Sequence, residues 1–187
     1  MTNFNHVAGF DDAPFPRAHR GAVLLVGTVF SGRRLDGVLA GRVWRDGINS
    51  TRELARLIGQ SRFAPQLQAI LLQGIAFAGF NVVDIHTLHA QLGIPVLVVM
   101  RRHPDFAKIR EALLTRVPGG ARKWRLIEQA GPVEAVERVF VQRAGLGLAQ
   151  ARAIVRKHAY HGNLPEPLRC AHLIAGGIAR GESRHRA

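Results

Sequence analysis

Apolar residues follow two different periods along the chain. In the first third they run continuously or alternate, as in VAGFDDAPF, GAVLLVGTVF and LDGVLAGRVWRDG, which is the spacing of buried or half-buried strands. Pro14 and Pro16 break the first segment, and Asp46-Gly47 is a turn signal closing the third. Three such strands with short joints predict an antiparallel meander. From Ser50 the period becomes helical: Leu54, Leu57 and Ile58 form a stripe behind a Ser50/Glu53 capping-box pattern. QAILLQ then reads as a buried strand. Asn81 is placed to cap a helix with Asp84 in its first turn and Val82, Ile85, Leu88 and Leu92 on one face, ending at Gly93. IPVLVVM is the next buried strand, so strand, helix and strand read as a parallel βαβ unit. Pro104 opens a helix with Phe106, Ile109 and Leu113 aligned, and Pro118-Gly119-Gly120 is a loop. WRLIEQAG and ERVFVQRAG read as short strands or irregular pieces. Leu148, Ala151, Ile154 and Val155 mark a helix; a last one follows LPEP and runs to about Gly181, leaving ESRHRA to fray. The whole is one α/β domain over 1–187, a meander followed by βαβ in a mixed sheet flanked by helices.

Charge adds the first functional information. Lys and Arg number 26 against 13 Asp and Glu, a net charge of +13 with a pI near 11.6. The surplus favours phosphate-rich partners and makes their binding salt-dependent. The lysines are Lys108, Lys123 and Lys157; the rest is arginine, which suits planar, two-pronged phosphate contacts. An apolar content of 47% excludes a disordered basic tail. The sole cysteine, Cys170, excludes an internal disulfide and a Cys-based zinc site, which points to a reducing compartment. MTNFNHVAGFDD carries no basic leader ahead of an apolar core, and no apolar run approaches the ~20 residues of a membrane helix. A cytoplasmic location with no membrane partner is expected.

Ligands of open α/β sheets bind beyond the carboxyl ends of the strands. Those ends carry Asp11-Asp12, Gln73-Gly74 and Arg101-Arg102. Alternation points Asp11 and Asp12 to opposite faces, so one of them leads any shared site; an Asx-turn is the plain structural alternative. GIAFAGFN is a glycine-rich turn with Phe77 and Phe80, which suit either base stacking or the core. His172 shares the inward face of the last helix with Leu168, Ala171 and Ala175, as a hydrogen-bonded core histidine or as a ligand. Glu166 and Pro167 fit that helix's start.

Taken in order, GFDDAPF, GIAFAGFNVVDI, IPVLVVMRRHPDF and GNLPEPLRCAHLIAGGIARGESR resemble the endonuclease dU family, relatives of endonuclease V, over nearly the whole chain. The resemblance implies an RNase H-like fold and a metal-dependent endonuclease acting on DNA with deaminated bases such as deoxyuridine or hypoxanthine. It implies Mg2+ or Mn2+ as cofactor and DNA, or else RNA, as partner. By the same resemblance Asp11, Gln73, His172 and Asp46 are the metal positions, and Arg101 is the basic residue near the scissile phosphate. Gly74, Phe77, Gly79, Phe80, Asn81, Arg102 and Arg169 are the candidate nucleic-acid contacts, and the resemblance implies that the turn over 74–81 lines a pocket for the damaged base. Two positions depart from the family pattern, which typically has aspartate where Gln73 and Asn49 stand. Neutral amides offer oxygens without charge, so weakened metal binding is expected, with a catalytically impaired nucleic-acid-binding homologue as the alternative function.

Overall fold

The computed structural model describes residues 3–184. Three antiparallel strands open it: β1 (His6–Asp12), β2 (Ala22–Ser31) and β3 (Arg34–Trp44). After α1 (Ser50–Gly59) and a 3₁₀ turn, β4 (Ala69–Gln73) pairs parallel to β1. A small hairpin, β5 (Ala76–Phe77) and β6 (Asn81–Val82), precedes α2 (Ile85–Leu92), and β7 (Val96–Met100) pairs parallel to β4. The chain continues through α3 (Phe106–Arg116), α4 (Gly120–Gln129), β8 (Glu134–Val136), β9 (Val139–Ala144), α5 (Leu148–His158) and α6 (Glu166–Arg180). The seven-stranded sheet has the order β3-β2-β1-β4-β7-β9-β8, with β9 antiparallel to β7. The expected meander and βαβ unit are both present, in a mixed sheet flanked by helices.

Alternation along the central strands divides the core into two layers. Val7, Ala69, Leu71, Leu97 and Val99 face α5 and the start of α6, packing against Ile154, Val155 and Leu168. Ala8, Phe10, Ile70, Leu72, Val96 and Val98 face α1 and α2, against Leu54, Ile58, Ile85 and Leu88. Both faces of β4 and β7 are thus covered, which is why these strands read as unbroken apolar runs. Gly9 brings α6 close: a Cβ there would lie 2.6 Å from the Pro167 backbone. Thr28 ties the same helix to β2, its hydroxyl donating to Pro167 O at 2.6 Å.

Four local expectations are corrected. WRLIEQ lies in α4, because Gly119 turns left-handed at φ +68° and starts a helix whose Ile127 packs against Leu113 of α3. Asn81 does not cap α2; Asp84 does, accepting from Thr87 N at 2.9 Å. The Ser50/Glu53 pair forms no capping box: the Ser50 hydroxyl donates to Val82 O, and Glu53 pairs with Arg56. Asp105 rather than Pro104 begins α3, capping Lys108 N. The fraying expected of the C-terminus falls partly on 185–187, outside the described residues.

Candidate functional site

The carboxyl ends of β1 and β4 lie side by side. Their ladder runs from Val7 opposite Ala69 to Phe10 opposite Leu72, so Asp11 and Gln73 are the next residues of the two strands. Both follow the alternation toward the α6 face. Asp11 is 5% exposed, and His172 Nδ1 of α6, 161 residues away in sequence, donates to its Oδ2 at 2.8 Å. Gln73 Oε1 is buried and accepts no hydrogen bond. An orphaned buried carbonyl oxygen costs about 1–3 kcal/mol and calls for an electropositive partner. The structure thus brings three expected positions to one strand-end cluster: Asp11 and His172 in contact, and Gln73 on the adjoining strand. Among the described residues, no group of three or more His, Cys, Asp and Glu side chains is placed to hold a metal.

Asp12 turns the other way. Its Oδ2 accepts from Ala78 N at 2.7 Å, anchoring the turn of the β5–β6 hairpin. Burial, with the neighbouring Asp11 charge, pushes the Asp12 carboxyl up to about 7, against hydrogen bonds from Ala78 and its own amide. Asp46 grips the same turn from the β3–α1 loop. Its amide donates to Ala78 O at 2.9 Å, and its carboxylate accepts from Phe80 N at 2.9 Å and pairs with Arg45 at 3.4 Å. Lys123 of α4, 2% exposed, donates its ammonium to Asp46 O. Burial pulls that ammonium below the usual lysine range, and the Asp46 charge opposes the shift. Asp46, expected with the metal positions, is therefore committed to the hairpin.

Two non-glycine residues in this bracket, Asp46 at φ +50° and Ala78 at φ +46°, sit in the left-handed region. That conformation costs an alanine ~1–2 kcal/mol, part of which a glycine returns in unfolded-state entropy. The Ala78 methyl is fully buried, and its loss costs about 0.8 kcal/mol, so Ala78→Gly should change stability by less than about 0.5 kcal/mol, read as a nearly unchanged denaturant midpoint.

The glycine-rich turn differs from expectation in one respect that matters for binding. Phe77 is fully buried in the core, so its ring is not available to stack on a base. Asn81 is buried as well: it accepts from Ser50 N at 3.0 Å and donates to Trp44 O and Asn49 Oδ1 at 2.8 Å each. Asn49, one of the two departures, accepts from Trp44 N at 3.0 Å and so belongs to this bracket, not to the Asp11 cluster. Gly74 and Gly79 have φ of +88° and +82°, and a Cβ on Gly79 would collide with the Asp46 carboxylate. Phe80 is partly exposed, while Arg101 and Arg102 are exposed where β7 leaves the sheet. Arg169 forms a two-pronged pair with Glu166 at 2.6 and 2.8 Å. Burial raises the Glu166 carboxyl, but hydrogen bonds from Arg169 and His161 outweigh it and hold the group below the usual carboxylate range.

Sequence reasoning missed the cavity beside the hairpin. It measures about 340 Å³, with Ile48, Ala55, Val82 and Leu126 as apolar lining and Thr51, Asp84, Arg52 and Arg122 as polar groups. Its walls come from three helices far apart in sequence, and no local motif marks it. Trp44, 57% exposed at the end of β3, was likewise unmarked.

Comparison with known proteins agrees with this architecture. The family model described as Endonuclease dU matches residues 3–179. A UPF0215 protein of Deinococcus radiodurans is 58% identical over 179 residues, spanning 96% of this chain and 91% of the relative. The crystal structure of a protein of unknown function from Archaeoglobus fulgidus superposes with a TM-score of 0.86 at 33% identity, over 92% of this chain and 97% of that one. Ciona intestinalis endonuclease V, in complex with a 24mer DNA containing an inosine followed by a ribo-adenosine, has a TM-score of 0.57 at 15% identity. That match covers 89% of this chain and 82% of the other, and it shows a shared fold.

Proposed function

This chain belongs to the endonuclease dU family, and from that membership we propose that it is a divalent-metal-dependent endonuclease. It cuts a phosphodiester near a deaminated base, deoxyuridine or hypoxanthine, in DNA. The family and the endonuclease V-like fold support a nuclease; the DNA held by the Ciona protein supports nucleic acid as the partner. The observation that carries the reading is the Asp11–His172 contact beside the orphaned oxygen of Gln73.

The residues present fit one hard divalent cation. Asp11 supplies a carboxylate and Gln73 a carbonyl oxygen that lacks a partner, both donor types that magnesium and manganese accept. Two ions ~4 Å apart would need more negative charge than this cluster contains. Held by Asp11 and Gln73, such an ion would supply Lewis acidity toward a phosphoryl oxygen and would lower the pKa of a bound water. His172 is oriented by its Nδ1–H bond to Asp11, which leaves Nε2 as the lone pair that takes a proton from water. Arg101, on the neighbouring strand end, supplies positive charge to the phosphate in the transition state. The cavity beside the hairpin is the space for an extruded base, its apolar lining against the ring faces and Thr51 and Asp84 within the polar rim.

A duplex with a single deoxyuridine or inosine tests this. With Mg2+ or Mn2+ it should be nicked near the lesion, with no nick in EDTA or in unmodified duplex. One observation favours a second reading, a binding homologue without catalysis: the cluster offers the neutral amide of Gln73 where the resemblance implies an aspartate. Salt-sensitive DNA binding by clean protein, without any nick, would select that reading, and absence of binding at low salt would defeat both.

A further inference from the structure

The rim that carries Asp11 and Gln73 continues along the sheet. Met100 at the end of β7 pairs with Phe140 of β9, so Arg101, Arg102 and His103 leave the sheet beside that phenylalanine, at the Asp11 end. His103 is exposed, and its imidazole stands edge-to-face with two rings, 5.5 Å from Phe140 and 5.9 Å from Phe106. Its Nδ1 lies 3.0 Å from Pro104 O, and Trp124 backs Phe106 at 6.0 Å. The ring is therefore fixed from behind while remaining accessible.

The charges around it are one-sided. Arg102 and Arg138 are exposed, and among the described residues neither forms an ion pair. The nearby acids are engaged: Asp105 caps α3 and pairs with Lys108 at 3.0 Å, and Glu137 pairs with Arg156 at 2.8 Å and Arg152 at 3.5 Å. A fixed, exposed aromatic ring among unpaired guanidiniums has the chemistry of single-strand nucleic-acid binding, where bases stack on rings and arginines follow phosphates. An acidic peptide would use the arginines but not the ring.

We propose that His103 and Phe140, flanked by Arg102 and Arg138, form a stacking platform for an unpaired base of single-stranded nucleic acid. It lies two to three strands along the same rim from Asp11, but Phe140, paired with Met100, belongs to the α1/α2 face of the sheet whereas Asp11 faces α6, so the platform would meet a strand that crosses the rim. The class of partner rests on the nuclease reading above. The platform is distinct from the cavity beside the hairpin, and it engages a flanking nucleotide rather than the lesion.

The test uses the whole protein in EDTA with a short deoxythymidine oligomer carrying 2-aminopurine, followed by fluorescence. Wild type should quench the probe by stacking. His103→Ala should bind about tenfold more weakly with the quenching lost, while His103→Phe retains both. Arg138→Gln should leave the quenching in place and lower the slope of log affinity against log salt by about 0.7. His103→Ala binding and quenching as wild type does would overturn the proposal while leaving the nuclease reading intact. Polyglutamate competing as well as the oligomer at equal charge would overturn it in favour of an acidic protein partner. Wild type that binds lesion-containing duplex but no single-stranded oligomer at low salt would overturn the platform alone, and wild type that binds neither would overturn the nuclease reading with it.

Discussion

Asp11→Asn is expected to slow nicking of lesion-containing DNA by at least about 10²-fold, with DNA affinity unchanged or slightly higher. The substitution preserves shape: the asparagine Oδ1 can still accept from His172 Nδ1, so the ring keeps its place. The negative charge is what is lost, and a cation held by oxygen ligands supplies several kcal/mol of transition-state stabilisation. Removing one negative charge from a chain that carries +13 weakens no phosphate contact. Single-turnover nicking beside equilibrium binding separates the two effects. Parallel loss of binding and cleavage would mean that Asp11 serves the fold, and unchanged cleavage would mean the chemistry lies elsewhere.

Gln73→Asp should act in the opposite direction. Wild type presents a buried amide oxygen without a partner beside the Asp11 carboxylate. A carboxylate there adds a full charge within a few ångströms of the same ion, worth on the order of several kcal/mol at an effective dielectric near 20 before desolvation is subtracted. Divalent affinity should rise by at least about tenfold. Without the ion, two carboxylates on adjacent strands repel, so the variant should be less stable than wild type in EDTA. It should gain more stability on titration with Mg2+, because an ion that binds only the folded state stabilises in proportion to its affinity. Thermal melts with and without the ion give both signs. A variant whose melting temperature is insensitive to Mg2+ would place the ion elsewhere. Asn49→Asp offers a contrast: that side chain accepts from Trp44 N and Asn81 Nδ2, so it should leave divalent affinity nearly unchanged.

The sheet was legible because its strands obey simple rules. β2, β4 and β7 are unbroken apolar runs, and the segment between β4 and β7 has helical spacing, so the meander and the parallel crossover follow from pattern alone. α4 was not legible: Trp124 and Ile127 have strand-forming preference, and contact with α3 overrode it. Short polar side chains were misassigned for a related reason. Asn81 and Ser50 each have a sound local role as helix caps, but the folded chain offered better partners about thirty residues away, in each other and in Val82. Phe77 was ambiguous between stacking and packing until the fold buried it. At the site, alternation separates Asp11 from Asp12 without further information, and the structure gives them different partners, His172 and Ala78. The approach of His172 to Asp11 was legible only through family resemblance, since no local period relates a strand to a helix so distant in sequence. The resemblance implies a base pocket along residues 74–81, but none of those residues lines the cavity, whose walls exist only once three helices have assembled.

Titration of the full-length protein with Mn2+, followed by calorimetry and by the electron paramagnetic resonance of the free ion, bears most directly on the strand-end cluster as a cation site. A single Mn2+ per chain is predicted, displaced by Mg2+, lost in Asp11→Asn and tightened in Gln73→Asp. No bound ion, two equivalent ions, or one ion whose affinity ignores both substitutions would contradict it.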